Sequence, residues 1–361
     1  MSSQSRPVVA TPPGAGLGGV VGHLPQLVGL KGQLQQGRLA PAYFVSGPDQ
    51  VGKTALALAL AQDFLAAGSW PGGLAGHPDL WLEDSGSTSI GIDRIRMEGQ
   101  PQDALAGPSL QHFLSLTPYA GLGKFAVLAN CERLSLPAAN SLLRLLEEPP
   151  PRTVIWLCTS RPESEHLPPT LRSRCQPLSL GPVDPGLIVS WLESTHGVAP
   201  EAARVATALC QGRPGLALEL ARDPELTLRA NATLERFLGA RRGSPAQLLE
   251  LSRELGERAS DRGAARDALR VLASFLRDCC CRALDLPELC RWPDQAAASK
   301  AWAADLGLAE CSRRYDLALE ALGRLGEMAT PRLVLDRLLL LGFDSRPSQE
   351  GMPGREGRGG R

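Results

Sequence analysis

Between about residues 42 and 180, short apolar runs rich in β-branched and aromatic residues alternate with segments of helical periodicity. The runs fall at 42–46, 79–83, 124–129, 153–159 and 175–180. The stretch 54–67 after the first run, and 135–148, opened by Ser135 and stopped before Pro149, are each long enough for a crossover helix. Strand–helix alternation of this kind predicts a parallel sheet covered by helices. Beyond the Gly/Pro-rich stretch 181–186 the β-rich runs cease, and 187–342 reads as helices.

Within that second part, Ser244 followed by Pro245 predicts a capped helix start, and Leu248, Leu251 and Leu255 recur at helical spacing. Leu269, Leu272 and Leu276 repeat the pattern, as do Tyr315, Leu319 and Leu322. The run 332–341 is apolar nearly all round, which predicts either deep burial or packing against another subunit. The Ser/Pro/Gly-rich residues 1–18 read as a flexible lead-in and the Gly/Arg/Pro-rich 346–361 as a mobile tail. No repeat of fixed period occurs.

Composition narrows the function classes. Hydrophobic residues are 43% and charged residues 21% of 361, a globular balance that excludes wholesale disorder. Basic and acidic residues are equal at 38 each, so the chain as a whole lacks the basic field that drives indiscriminate nucleic-acid binding. No apolar run is long enough to span a membrane and Met1 is followed by polar residues, so a cytoplasmic protein without membrane partners is expected. The nine cysteines include no C-x-x-C pair, against a disulfide framework or a tetrahedral zinc site. Cys279, Cys280 and Cys281 point about 100° apart on a helix and cannot converge on one metal.

Only four of the 38 basic residues are lysines, and one lies in a phosphate-binding pattern. Gly47, Pro48, Asp49, Gln50, Val51, Gly52, Lys53 and Thr54 match G-x-x-x-x-G-K-[ST] between a strand and a helix. Composition alone would yield about 0.005 such matches in a chain of this length. The glycines let the backbone wrap an anion, the helix N-terminus adds positive potential, Lys53 reaches the β- and γ-phosphates and Thr54 holds magnesium. Hydrolysis further needs a carboxylate at a neighbouring strand end. There the sequence offers Asn130 and Cys131, an amide and a thiol, with Glu132 two residues late and read as a solvated surface glutamate.

Several stretches resemble the clamp-loader AAA+ family. Val20 to His23 and Gly37 to Tyr43 are similar to that family's approach to its P-loop, and Gly91 to Arg96 to a helix start that follows its second strand. The most specific matches are Ala138 to Pro150 and Leu171 to Cys175, the latter containing the Ser173-Arg174-Cys175 triplet. The resemblance covers about 19–220 by motif, and the rest only by its helical character.

It implies an α/β RecA-like AAA+ P-loop domain with a parallel five-stranded sheet at 19–180, a small helical lid at 181–223 and an all-helical oligomerising collar at 224–345. It also implies that Arg174 enters a neighbouring subunit's ATP site, where a planar guanidinium fork suits a γ-phosphate. The partners implied are gamma/tau-type motor subunits and a delta subunit, with the sliding clamp reached indirectly and primer–template DNA gripped by the whole complex. Departures from the family matter as well. The stretch 66–76 lacks the four cysteines of the related zinc module, so no zinc is expected. In 212–218 the lid's sensor arginine position holds Gly215, with Arg213 displaced by two. The expected role is a structural or regulatory clamp-loader subunit within a DNA polymerase holoenzyme, able to take ATP and magnesium at the loop without turning ATP over. The alternatives are an active motor ATPase with Glu132 as its acid, and an unrelated P-loop enzyme such as a kinase.

Overall fold

The computed structural model describes residues 16–66, 70–71, 73–84, 89–96, 107–120, 123–164, 167–239, 244–257, 262–326 and 330–343. The tail at 346–361 and the lead-in up to residue 15 lie outside them. Residues 16–19, the end of the expected lead-in, form a short 3-10 turn, with Leu17 buried and its amide bonded to Asp63 Oδ2 at 3.1 Å.

The chain divides into two compact units, Met1–Arg222 and Asp223–Arg361. In the first, β1 (Ala42–Ser46), β2 (Leu80–Glu83), β3 (Lys124–Leu128), β4 (Thr153–Thr159) and β5 (Gln176–Ser179) form a five-stranded parallel sheet of order β2-β3-β4-β1-β5. The observed strands agree with the five apolar runs to within a residue or two at each end. Alternate residues of each strand face opposite sides, so the sheet has two cores. Tyr43, Val45, Phe125, Val127, Val154, Trp156 and Cys158 pack on one side with α1 (Leu24–Gln35) and α2 (Lys53–Phe64). Phe44, Trp81, Ala126, Leu128, Ile155 and Leu157 pack on the other.

That second side is covered by α3 (Ile92–Ile95), α4 (Leu110–Ser115), α5 (Leu136–Glu147) and α6 (Pro169–Arg172). Ser135 caps α5 by accepting from the Ala138 amide, and Ala138, Ala139, Leu142 and Leu146 form its buried face. Arg94 on α3 is pinned to β2 by a 2.5 Å ion pair with Glu83 and by stacking 5.3 Å from the Trp81 ring. Three helices complete the unit: α7 (Pro185–His196), α8 (Pro200–Cys210) and α9 (Pro214–Ala221). Their N-terminal prolines fit the first helical turn, where no intrahelical N–H bond is lost.

The second unit is helical: α10 (Pro224–Gly239), α11 (Pro245–Glu257), α12 (Arg262–Ala283), α13 (Ala296–Gly326) and α14 (Pro331–Phe343). Helix α12 packs along α13, and α11 along α14. Ser244 and Gln247 exchange hydrogen bonds as a capping box, and Leu248, Leu251, Leu255, Leu269, Leu272 and Leu276 are all buried as the spacing predicts. The third repeat departs from its reading. Leu319 is exposed, and the buried seam of α13 runs through Cys311, Ala318, Ala321 and Leu325, interrupted further up by a non-helical Gly307. Helix α14 likewise buries only one face, through Val334, Leu335, Leu338 and Leu339, while Leu333 and Leu341 are exposed.

Asp278, fully buried on α12, anchors the α12–α13 connection by accepting from the amides of Arg291 (2.7 Å) and Trp292 (2.8 Å). Its removal strands two amide donors. Asp278→Ala is therefore expected to cost about 1–3 kcal/mol, read from the denaturation midpoint of the second unit; an unchanged midpoint would show that the connection holds by its apolar contacts alone.

Candidate functional site

The loop 47–54 springs from the C-terminal end of β1 and runs into α2, as the motif requires. Gly47 must be glycine because a Cβ there would lie 2.4 Å from the Leu180 carbonyl oxygen. Gly52, just before α2, has φ 115°, a conformation that side chains resist. Lys53 folds back over the loop, donating from Nζ to the carbonyls of Gly47 and Pro48 at 2.8 Å each and to Ser160 Oγ at 3.4 Å. His23, capping α1, donates from Nε2 to the Val51 carbonyl at 3.0 Å.

The α2 N-terminus carries orphan N–H groups and a positive end of the helix dipole beside one buried ammonium. Backbone and charge therefore fit the phosphates of a nucleotide, with Gly47 to Thr54 as the cradle and Lys53 as the cation. Burial pushes the Lys53 ammonium below its ordinary value, opposed by the nearby carboxylates of Asp49 and Glu132. Thr54 lies beside the Cys158 thiol, which burial pushes up to about 12.

The acids are arranged less favourably. Asn130 donates from Nδ2 to Asp84 Oδ1 at 3.5 Å, so the strand end that needs a carboxylate presents an amide already engaged with one. Burial raises the Asp84 carboxyl above its usual range and the Cys131 thiol well above its own. The chain leaves β3 through a 3-10 turn, Cys131–Arg133, and this turn corrects the surface reading of Glu132. Its Oε1 accepts from the Ser160 amide at 3.3 Å, and its Oε2 is buried without a hydrogen-bond partner among the described residues. The residue thus faces the loop lysine. The magnesium set remains short: Thr54 is present, but β3 does not offer it a carboxylate at Asn130 or Cys131.

Three further contacts were invisible in the sequence. Asp49, inside the loop, accepts a hydrogen bond from Ser160 Oγ. Gln50, held at φ 61°, accepts from the Gly215 amide at 3.0 Å and donates from Nε2 to Glu219 Oε2 at 2.6 Å. The loop is therefore fastened to α9 directly. Arg213 donates to the Cys210 carbonyl (2.9 Å) and to Gln211 Oε1 (3.1 Å). Gly215 thus meets the loop through its backbone amide.

Arg174 follows α6 between two buried anchors, Leu171 and Cys175. Its guanidinium donates from Nη1 to the Thr170 carbonyl at 2.8 Å and from Nη2 to Glu147 Oε1 at 2.7 Å. Burial pushes the Cys175 thiol up to about 12, as it does Cys158. From an ordinary value near 9, that lowers the thiolate fraction at pH 8 by about 1,000-fold. Iodoacetamide at pH 8 is accordingly expected to spare both cysteines in native protein and to label them once the chain is unfolded; equal labelling in the two states would contradict the burial.

No group of three or more His, Cys, Asp or Glu able to hold a metal ion occurs among the described residues. No described helix is long and apolar enough to cross a membrane.

The five-stranded parallel sheet, with its P-loop between β1 and α2 and the helices that follow, defines an α/β P-loop fold. Residues 74–184 match the family described as DNA polymerase III, delta subunit. The DNA polymerase III subunit delta' of Haemophilus influenzae is 31% identical over 176 residues, covering 48% of this chain and 50% of that protein. The corresponding subunit of Bacillus subtilis is 31% identical over 207 residues, covering 54% of this chain and 58% of that protein. Among solved structures, a DNA polymerase III gamma subunit-related protein of Thermotoga maritima is 17% identical with a TM-score of 0.44, covering 87% of this chain and 98% of that chain. Over these stretches the chain is thus similar to the DNA polymerase III delta-prime subunits. The similarity spans about half the length of the two curated relatives.

Proposed function

We propose that this chain is a non-motor subunit of a cytoplasmic clamp loader, which helps to place a sliding clamp on primed DNA and lends Arg174 to the ATP site of a neighbouring motor subunit. The observation that carries this reading is the wiring around the loop. A phosphate cradle with Lys53 in place is bound to α9 through Gln50, Gly215 and Glu219, while Asn130 stands where a magnesium-holding carboxylate is needed. Such a site suits nucleotide binding without turnover. The division into a P-loop module with its lid at 19–223 and a helical collar at 224–345 belongs to the same reading.

The partners follow from it: gamma/tau-type motors, a delta subunit and, through the assembled complex, the clamp and primer–template DNA. Mixing the purified chain with its cognate gamma/tau and delta subunits is expected to give a stable complex that loads clamps onto primed DNA. Leaving this chain out should abolish loading; a mixture that loads equally well without it would refute the assignment.

One observation favours a second reading, an active motor ATPase. The Glu132 carboxylate faces Lys53 from the end of β3, with one oxygen unpartnered. If that carboxylate orients water, Glu132→Gln is expected to lower turnover by the chain alone at least about 100-fold, as the loss of a positioned base would. Turnover that is absent from wild type, or indifferent to the substitution, removes this reading.

A further inference from the structure

We propose that Glu147 is the positioning residue for Arg174: it holds the guanidinium at the edge of α5 and α6 in the orientation from which it meets a neighbour's phosphate. This rests on the reading that Arg174 acts in trans. A free arginine side chain samples many rotamers, and a donor fork that must meet an oxyanion is effective only when its plane is set beforehand. Here the plane is set from two sides, through Nη2 by Glu147 Oε1 at 2.7 Å and through Nη1 by the Thr170 carbonyl at 2.8 Å.

Both partners stand on rigid supports. Glu147 is the last residue of α5, next to the buried Leu146, and Thr170 precedes the fully buried Leu171 on α6. The α5 C-terminus adds a negative dipole end that favours a cation at this place. These two contacts occupy one N–H on each terminal nitrogen, and a guanidinium has five, so donors are left for an incoming oxyanion. The Arg174 side chain is 33% exposed and that of Glu147 49%, and an ion pair so solvated adds little to folding. Its effect lies in geometry, which separates a positioning role from a structural one.

The test compares wild type, Arg174→Ala, Glu147→Ala, Glu147→Gln and the double alanine variant, each mixed with cognate gamma/tau and delta subunits. ATP turnover, KM for ATP and the unfolding midpoint of the chain are read for each. Glu147→Ala is expected to lower kcat at the site completed by this chain about ten- to hundredfold, with KM and the unfolding midpoint unchanged. Glu147→Gln keeps an oxygen acceptor for Nη2 and should recover much of the loss. The double variant should be no worse than Arg174→Ala, because the two residues act as one unit. A defective Arg174→Ala beside a normal or faster Glu147→Ala overturns this proposal alone. An Arg174→Ala variant without effect overturns the in-trans reading and this proposal with it.

Discussion

If Arg174 acts in trans as proposed, replacing it by alanine is expected to remove about 10³-fold of the turnover at the neighbouring motor site, the loss found when an arginine supplied from outside a phosphate site is deleted. The expectation rests on how the residue is presented. Leu171 and Cys175 anchor the segment in the core, while Arg174 between them keeps a third of its side chain exposed and its fork oriented by Glu147 and Thr170. In a loader with several motor sites, only the site next to this chain would be affected, so steady-state turnover falls by that site's share. A single-turnover measurement would resolve the slow site directly. Arg174→Lys should rescue little, because a point charge cannot reproduce the planar fork. Turnover unchanged by Arg174→Ala in a complex that still assembles would remove the residue from the mechanism.

The second large effect is expected on stability. Trp156 lies at the centre of β4, fully buried, with its ring 5.0 Å from Tyr43 on β1 and 6.4 Å from Phe125 on β3. These three aromatics tie the middle strands of the sheet together on the α1/α2 side. Trp156→Ala removes the largest fully buried side chain of the described residues and leaves a cavity bounded by strands that cannot close independently. A cost of about 3–5 kcal/mol to the first unit is expected, read from its denaturant midpoint. Since Thr159 at the end of β4 and the following Ser160 contact Gly47, Lys53, Asp49 and Glu132, the same substitution should weaken phosphate binding in parallel. A loss under about 1 kcal/mol would mean that the sheet repacks around the gap.

Much of this fold is legible in the order of residues because burial repeats locally. Five apolar runs became five strands, and Ser135 and Ser244 became caps, since a strand buried on both faces and a helix cap each write their pattern within a few neighbouring residues. The loop was legible for the same reason. The α13 seam was not, because it runs through the small Ala318 and Ala321 while the more hydrophobic Leu319 stays exposed. Glu132 was read as a surface residue because it lies two positions late, but beyond Leu128 the chain enters a 3-10 turn that swings the carboxylate towards Ser160. The bonds from Gln50 to Gly215 and Glu219 join residues more than 160 positions apart, and no local pattern announces them.

ATP turnover by the purified chain alone, wild type beside Lys53→Ala, tests the central claim most directly. A subunit whose loop holds phosphate without a complete magnesium set should turn over no more ATP than its Lys53→Ala variant. Turnover clearly above that background would contradict the non-motor assignment and make Glu132 the catalytic carboxylate to explain.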